Sequence, residues 1–256
     1  MKEGRYIYCI VETKGERNFG PIGIGGDRDE VTTLGCGDLS MVISNSPMTR
    51  YVVSPENLLA HERVIEEVMK EFTVLPVRFC TIASGSEEVR NLLDRRHREF
   101  KNLLRTMDHK VELGVKGFWK NMSLIYREIA RENPGISRLK RKMASSTSTK
   151  KTFLEAKVEL GRLVEEALKR KREEEARETT EILRRASLDY KLNKTVGDEM
   201  FLNGAFLVSQ GREKEFDNLM DDLTDKFKER TKFMYAGPLP PYNFVNVTIY
   251  PEEWEK

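Results

Sequence analysis

The stretch Thr73 to Trp119, TVLPVRFCTIASGSEEVRNLLDRRHREFKNLLRTMDHKVELGVKGFW, decides how the chain is read. It reads as strand, capped helix, strand, closing one domain and opening the next. Leu75, Val77, Phe79 and Thr81 alternate with Val74, Arg78 and Cys80 in a largely β-branched and aromatic run, the pattern of a strand. Pro76 places it early in the strand or at a sheet edge, since proline cannot donate to a ladder. Ser84 and Glu87 have capping-box spacing. From Val89 through Leu92, Leu93, Phe100, Leu103, Leu104 and Met107, apolar residues recur at three- and four-residue steps, one stripe on a helix of about six turns. Val111, Leu113, Val115, Gly117 and Trp119 then alternate as a strand with one covered face.

Upstream, Tyr6–Val11 is a first strand, Glu30–Leu34 a second and Leu39–Ser44 a third. Ser54-Pro55 is an N-cap with a first-turn proline, opening a helix with Leu58, Ile65, Val68, Met69 and Phe72 on its apolar side. Between the first two strands, residues 18–27 hold four glycines and a proline. A phosphate-cradling loop would need a third glycine where Arg28 stands and a helix after it, and neither is present. The segment reads as a hairpin loop.

Downstream, a helical pattern runs from Met122 to Ile129 and ends near Asn133-Pro134-Gly135. Basic Arg138–Lys142 and polar Ser145–Thr149 read as a connector. The longest helix carries Phe153, Ala156, Leu160, Leu163, Val164, Ala167 and Leu168. Its Lys169–Glu178 portion is almost wholly charged and is expected to project into solvent. Leu188–Asn193 is an exposed-face strand, Met200–Val208 a central one and Phe216–Phe227 a helix, before the final Lys232–Ala236 strand.

These elements predict an α+β chain of two domains. Residues 1–107 form a small mixed sheet with two helices, packed on one face. Residues 108–256 form a ferredoxin-like (split β-α-β) domain with a long helix and a helical insertion or linker at 120–150.

The 256 residues suffice for two modest cores. Lys+Arg 44 against Asp+Glu 42 gives +2, so no global field draws nucleic acid or an acidic membrane. No apolar run approaches the ~20 residues that span a bilayer, and the N-terminus has no secretory pattern. The reading is a cytoplasmic protein. Cys9, Cys36 and Cys80 are odd in number and scattered, and His61, His97 and His109 share no metal spacing with them. No metal, cofactor or catalytic set is expected. His61, on or beside an apolar helix face, reads as a half-buried histidine bonded across to the sheet rather than a general base.

Eight stretches, in order, carry a resemblance. They are FGPIGIGG (Phe19–Gly26), LAHERVIEEV (Leu59–Val68), VLPVRFCTIAS (Val74–Ser84), VELGVKGFW (Val111–Trp119), ENPGISRLK (Glu132–Lys140), ELGRLVEEAL (Glu159–Leu168), FLNGAFLVS (Phe201–Ser209) and GPLPPYNFV (Gly237–Val245). Together they resemble the gas vesicle accessory proteins of the GvpL/GvpF family. The resemblance implies a two-domain, non-enzymatic factor of gas vesicle assembly that engages the apolar shell-forming subunit and other accessory proteins. It supplies no catalytic residues. The chain departs from the family pattern at Cys80, where a small residue or glycine is usual, and at Leu239, where a bulky aromatic is usual.

A rival class is RNA binding through a ferredoxin-like sheet, since Asn203–Val208 faintly matches a base-stacking strand motif. It lacks that motif's leading basic and first aromatic residues. For partner binding, Leu239, Pro240, Pro241, Tyr242 and Phe244 form a candidate lip beside a final, edge-lying strand, where prolines discourage self-pairing. In the other reading of the same segment, the prolines turn the chain and Tyr242 and Phe244 pack inward.

Overall fold

The computed structural model describes the backbone of residues 3–25, 29–144 and 150–249, and the side chains of these except 150–152. The chain is an α+β protein of two compact units, Met1–Glu112 with Gly237–Lys256, and Leu113–Ala236. The first unit therefore ends slightly later than the expected residue 107. The segment from Gly237, expected in the second domain, clusters with the first. The reason is chemical: Pro240 and Pro241 have no N–H to continue a ladder, so the chain leaves its strand there. The connector at Ser145–Thr149 and the Thr152 cap lie outside the described residues.

In the first unit, β1 (Glu3–Glu12), β2 (Asn18–Gly20), β3 (Val31–Cys36), β4 (Leu39–Pro47), β5 (Leu75–Pro76) and β6 (Ile82–Ala83) build one sheet. Its order is β2-β3-β4-β1-β5, with β6 also on β1. β2 and β3 pair antiparallel around the glycine-rich segment, a hairpin as expected. Helix α1 (Pro55–Met69) starts at Ser54, whose Oγ accepts from Asn57 N–H at 3.3 Å. It buries Val64, Ile65 and Val68 against Tyr6, Tyr8 and Val42. Ile7 and Ile10, also fully buried, point to the opposite face. There α2 (Ser86–Arg95) and α3 (His97–Met107) contact β1, β3, β4 and β5. This sheet is thus covered on both faces rather than one.

Two features of the deciding stretch differ from their reading. The strand expected over 74–81 is broken: β5 pairs Pro76 with Cys9, β6 pairs Ile82 with Tyr6, and Arg78-Phe79-Cys80 leave the ladder between them. Val77 N–H donates to the Tyr8 carbonyl and Ile7 N–H to the Thr81 carbonyl, both at 2.9 Å, so β1 is bridged on either side of the excursion. Thr81 Oγ1 donates to the Arg78 carbonyl at 2.7 Å and closes the turn, with Cys80 at φ 64°. The helix expected as one piece is two, broken at Arg96 (φ −107°, ψ 17°). That guanidinium lies over the Phe100 ring (4.8 Å), pairs with Glu99 and donates to the Thr248 carbonyl at 2.7 Å. At the start of α2, Glu88 rather than Glu87 reaches back, accepting from Ser84 N–H (2.5 Å) and Oγ (2.6 Å).

The second unit holds α4 (Met122–Glu132), α5 (Pro134–Ala144), α6 (Lys150–Leu183) and α7 (Glu213–Phe227) with a four-stranded sheet. Its strands are β7 (Lys110–Trp119), β8 (Asp189–Leu192), β9 (Met200–Ser209) and β10 (Thr231–Leu239), in the order β10-β7-β9-β8. β9 is central and apolar on both faces, and β10 lies at an edge, both as expected. The core joins Leu113, Val115 and Trp119 to Phe201, Phe206, Phe216 and Met220. Gly117 exists to admit a neighbour: a Cβ there would lie 2.5 Å from Phe201 Cζ.

The charged run of α6 is mostly exposed, as expected: Lys169, Arg170, Glu173, Glu174, Arg177 and Glu178 face solvent. Ala176 within it is buried, and Lys171 and Glu175, half-buried, face inward. Arg230 holds Glu128 in a two-pronged pair (2.7 and 2.9 Å) and Glu175 at 2.6 Å. Glu175 also accepts from the Trp119 indole N–H at 2.6 Å, and Lys171 adds a 3.0 Å pair to Glu128. Lys171 and Glu175 can be half-buried here because each has a partner. The Arg230 hydrogen bonds, with those of Lys171, hold the Glu128 carboxyl down to about 2. Among the described residues, no helix is long and apolar enough to cross a membrane.

Candidate functional site

The C-terminal segment folds back as a strap on the first unit. After β10, Pro240 and Pro241 are buried, and Phe244 and Val245 N–H groups both donate to the Pro241 carbonyl at 3.0 Å, forming a tight turn. Asn243 clamps the buried Glu112 carboxylate, its backbone N–H reaching Oε2 at 2.7 Å and its amide Oε1 at 2.6 Å. Farther on, Val247 bridges Val77, and Arg78 donates to Asn246 Oδ1 at 3.0 Å. Tyr242 packs against the core of Tyr6, Tyr8 and Val64, and its hydroxyl is buried with no hydrogen-bond partner. Burial, with Glu62 nearby, pushes its hydroxyl pKa well above the usual tyrosine range. Leu239, Tyr242 and Phe244 are half-buried, so the segment is a turn with Tyr242 seated inward and Leu239 and Phe244 partly open.

Beneath it lies a hydrogen-bonded aromatic cluster. His61 is 3% exposed, with Nδ1 3.0 Å from Tyr6 Oη and Nε2 3.2 Å from the Val77 carbonyl. Its ring stacks on Tyr8 (5.6 Å) and meets Phe79 edge-on (5.8 Å). Tyr6 Oη accepts from Cys80 N–H at 2.9 Å, which holds the looped-out residues in place. Tyr8 Oη accepts from Ile24 N–H at 2.8 Å and lies 2.9 Å from Ser44 Oγ, itself 2.8 Å from Asp29 Oδ2. Desolvation lowers the His61 pKa to about 4. A histidine this acidic stays neutral and ties α1 to the sheet, as its sequence context suggested.

In the second unit, a groove of about 490 Å³ runs between α6 and the β8–β9 edge, with Arg172, Ala176, Thr180, Tyr190, Leu192 and Phe201 along it. Sequence reading missed it, because Arg172 and Ala176 sit inside the charged run and Thr180 lies just after it. Their four-residue spacing on one helix face was the available signal.

Among the described residues, no three His, Cys, Asp or Glu side chains converge as metal ligands, and Cys9, Cys36 and Cys80 are free thiols. Phe206, the aromatic of the RNA-like strand motif, is fully buried 5.3 Å from Phe216 and presents no face for a base.

The family model for gas vesicle synthesis protein GvpL/GvpF matches residues 4–246. The chain belongs to the GvpL/GvpF family. It is 30% identical over 228 residues to gas vesicle protein F of Streptomyces sp. (strain CB03234), covering 87% of this chain and 91% of that one. Gas vesicle protein F1 of Halobacterium salinarum is 25% identical over 256 residues, with 99% and 98% covered. The crystal structure of GvpF from Anabaena sp. PCC7120 superposes with a TM-score of 0.80 at 22% identity, over 96% of this chain and 100% of that one. GvpF from Microcystis aeruginosa gives 0.77 at 24%, over 95% and 99%.

Three of the GvpL/GvpF-like stretches meet in the clusters described above. Phe19–Gly25 of the first lies in the β2–β3 segment pinned by Tyr8, VLPVRFCTIAS forms the interrupted ladder pinned by Tyr6, and GPLPPYNFV the strap.

Proposed function

We propose that this protein is a cytoplasmic, vesicle-associated accessory factor of gas vesicle assembly that is not an enzyme. It holds the apolar shell-forming subunit, together with other accessory proteins, until that subunit joins the wall. Family membership across residues 4–246 carries the reading. A subunit apolar enough to keep water out of a gas space aggregates if released alone, so a charged, soluble holder has a physical use. We read the four-stranded sheet, in the order β10-β7-β9-β8 with helices after its first and third strands, as the ferredoxin-like half of that holder. We assign one partner contact to Leu239, Pro240, Pro241, Tyr242 and Phe244. In it, the two prolines and Tyr242 set the shape, and Leu239 and Phe244 offer the accessible apolar surface beside the edge strand β10.

Co-expression with tagged shell-forming subunit as prey tests the function. Retention of this chain on the prey is expected, and a folded chain that is never retained overturns the reading. Changing Leu239→Ser and Phe244→Ser together tests the contact. Binding that persists unchanged in a folded variant removes that segment as a partner site.

A further inference from the structure

The groove between α6 and β8 contains two polar atoms that the rest of the fold leaves unused. Arg172 Nε and Thr180 Oγ1 are both buried without a hydrogen-bond partner among the described residues, and Thr180 is only 3% exposed. Native folds seldom leave such atoms unmatched, because each forfeits its hydration for nothing. They lie eight residues apart on one face of α6, on either side of Ala176, and all three line the groove. Arg172 is fixed in position, since Nη2 donates to the Gly197 and Asp198 carbonyls at 3.3 Å each. Its guanidinium is therefore held beside the groove that the residue lines, with Nε still unmatched.

The opposite wall mixes apolar Tyr190, Leu192, Phe201 and Leu202 with polar residues and includes a sheet edge. Among the described residues β8 pairs only with β9, and all four of its residues are exposed. Tyr190 and Leu192 turn their side chains to the groove. The Asn193 N–H bond to the Asn203 carbonyl (2.7 Å) sets the ladder so that the Tyr190 and Leu192 backbones face away from β9. The charge is one-sided. Lys169, Arg172, Arg177 and Lys194 line the groove against Glu173 and Glu181. Glu173 is matched by Lys169 and Glu181 by Arg184, which leaves Arg177 and Lys194 with no ion pair among the described residues. A volume of about 490 Å³ lies within the ~300–1,000 Å³ of ligand sites.

We propose that this groove receives an extended apolar segment of a partner protein bearing one carboxylate, laid along β8 with the carboxylate at Arg172 and a backbone group at Thr180, about 12 Å farther along the helix. Tyr190 N–H is taken by Asp189 Oδ1, but the outward carbonyls of β8, the Leu192 N–H and the apolar residues of that wall suit a strand-like chain, and the basic excess suits an acidic group on it. The proposal rests on the assembly role above, and it adds a second contact, separate from the Leu239–Phe244 segment.

The test uses the full chain, co-expressed with tagged shell-forming subunit and, in parallel, with each other protein of the same gas vesicle set. p-Benzoylphenylalanine is placed at Tyr190 or, separately, at Phe244, and the cross-linked peptides are sequenced. The expected result is a cross-link from position 190 to an apolar partner segment that contains Asp or Glu. Thr180→Val is expected to weaken capture about fivefold while the melting temperature holds or rises, because valine removes an orphaned hydroxyl without changing its shape. Arg177→Glu with Lys194→Glu should weaken it about tenfold.

Capture that persists with position 190 silent, or with Thr180→Val and the charge reversals binding as wild type, overturns the groove and leaves the assembly role standing. A cross-link from 190 to a second copy of this chain overturns it in favour of self-association. Failure of the wild-type chain to be captured by any of these proteins removes the assembly role and the groove together.

Discussion

Tyr6 and His61 share a hydrogen bond that needs one imidazole tautomer. The Val77 carbonyl can only accept, so Nε2, 3.2 Å away, carries the ring proton, and Nδ1 accepts from Tyr6 Oη at 3.0 Å while that oxygen accepts from Cys80 N–H. Every donor in this chain has one acceptor. A second ring proton would leave the Tyr6 hydroxyl proton without a target, so the arrangement is built for neutral histidine.

A pH dependence follows from that arrangement. The His61 pKa falls from its ordinary 6.5 to about 4 on folding, so between those values the unfolded chain binds more protons than the folded one. The stability is fully present above about pH 6.5 and is lost as pH falls towards 4. It declines by about 1.4 kcal/mol per unit and about 3 kcal/mol in all. Urea unfolding at pH 7.5 and 4.5, with His61→Phe as control, measures it. An equal slope in the control would assign the loss elsewhere.

Tyr6→Phe removes one oxygen and strands two groups, the Cys80 N–H and His61 Nδ1. The expected cost is about 2–4 kcal/mol in denaturant unfolding, more than a typical exposed hydroxyl deletion. Amide exchange at Cys80 should speed up in the same variant. A loss under 1 kcal/mol with normal exchange would mean that water replaces the hydroxyl.

Gly117→Ala is expected to destabilise the second unit by about 1–3 kcal/mol. The added Cβ meets Phe201 Cζ at 2.5 Å, and that ring is held between Trp119 (5.7 Å) and Phe233 (6.0 Å), so it has nowhere to move. Phe201→Leu in the same background should recover part of the loss, which a double-mutant cycle reads directly.

Arg230→Met separates two kinds of partner. It leaves Glu128 and Glu175 with less compensation in a half-buried setting, at an expected cost of about 1–3 kcal/mol at pH 7. Glu128 is held at about 2, below its ordinary 4.5, so the wild-type advantage is present above pH 4.5 and disappears as pH falls through 2. Thermal unfolding of both proteins at pH 7 and pH 2.5 should therefore converge at the lower value.

Tyr242→Phe and Tyr242→Ser should move stability in opposite directions. Phenylalanine deletes a buried hydroxyl that has no partner and is expected to hold or raise stability. Serine opens a cavity beside Tyr6, Tyr8 and Val64 and should cost about 3–5 kcal/mol. If both variants melt like wild type, Tyr242 is not part of the core.

The sequence exposed whatever follows from periodicity. The strands around Val115 and Leu202 and the helices at Val64 and Phe216 lie where their apolar spacing put them, because each buries one continuous face. Breaks within a pattern were hidden. Arg78-Phe79-Cys80 alternate like strand residues, and only the Tyr6 hydroxyl and the Thr81 turn, both tertiary contacts, show that they leave the ladder. Arg96 stops a helix through Phe100, Glu99 and Thr248 rather than through glycine or proline. Most of the charged run of α6 is solvated as its composition implied, and only the inward contacts of Lys171 and Glu175 were hidden, because their partners, Glu128, Trp119 and Arg230, are distant in sequence. The groove shared that fault, since a buried threonine without a bond is invisible until its neighbours are placed.

The placement of Gly237–Lys256 with Met1–Glu112 also sets the order in which the molecule can be completed during synthesis. Leu113–Ala236 is an insertion within a single folded unit, so every residue it needs has been made before the last part of the surrounding unit emerges. The Glu112 carboxylate must wait for Asn243, made 131 residues later. A chain whose residues up to Ala236 have left the ribosome would thus carry an inserted unit lacking only the last residues of β10 and an interrupted one still lacking its strap, with the face around Tyr6, Tyr8 and Val64 awaiting Tyr242.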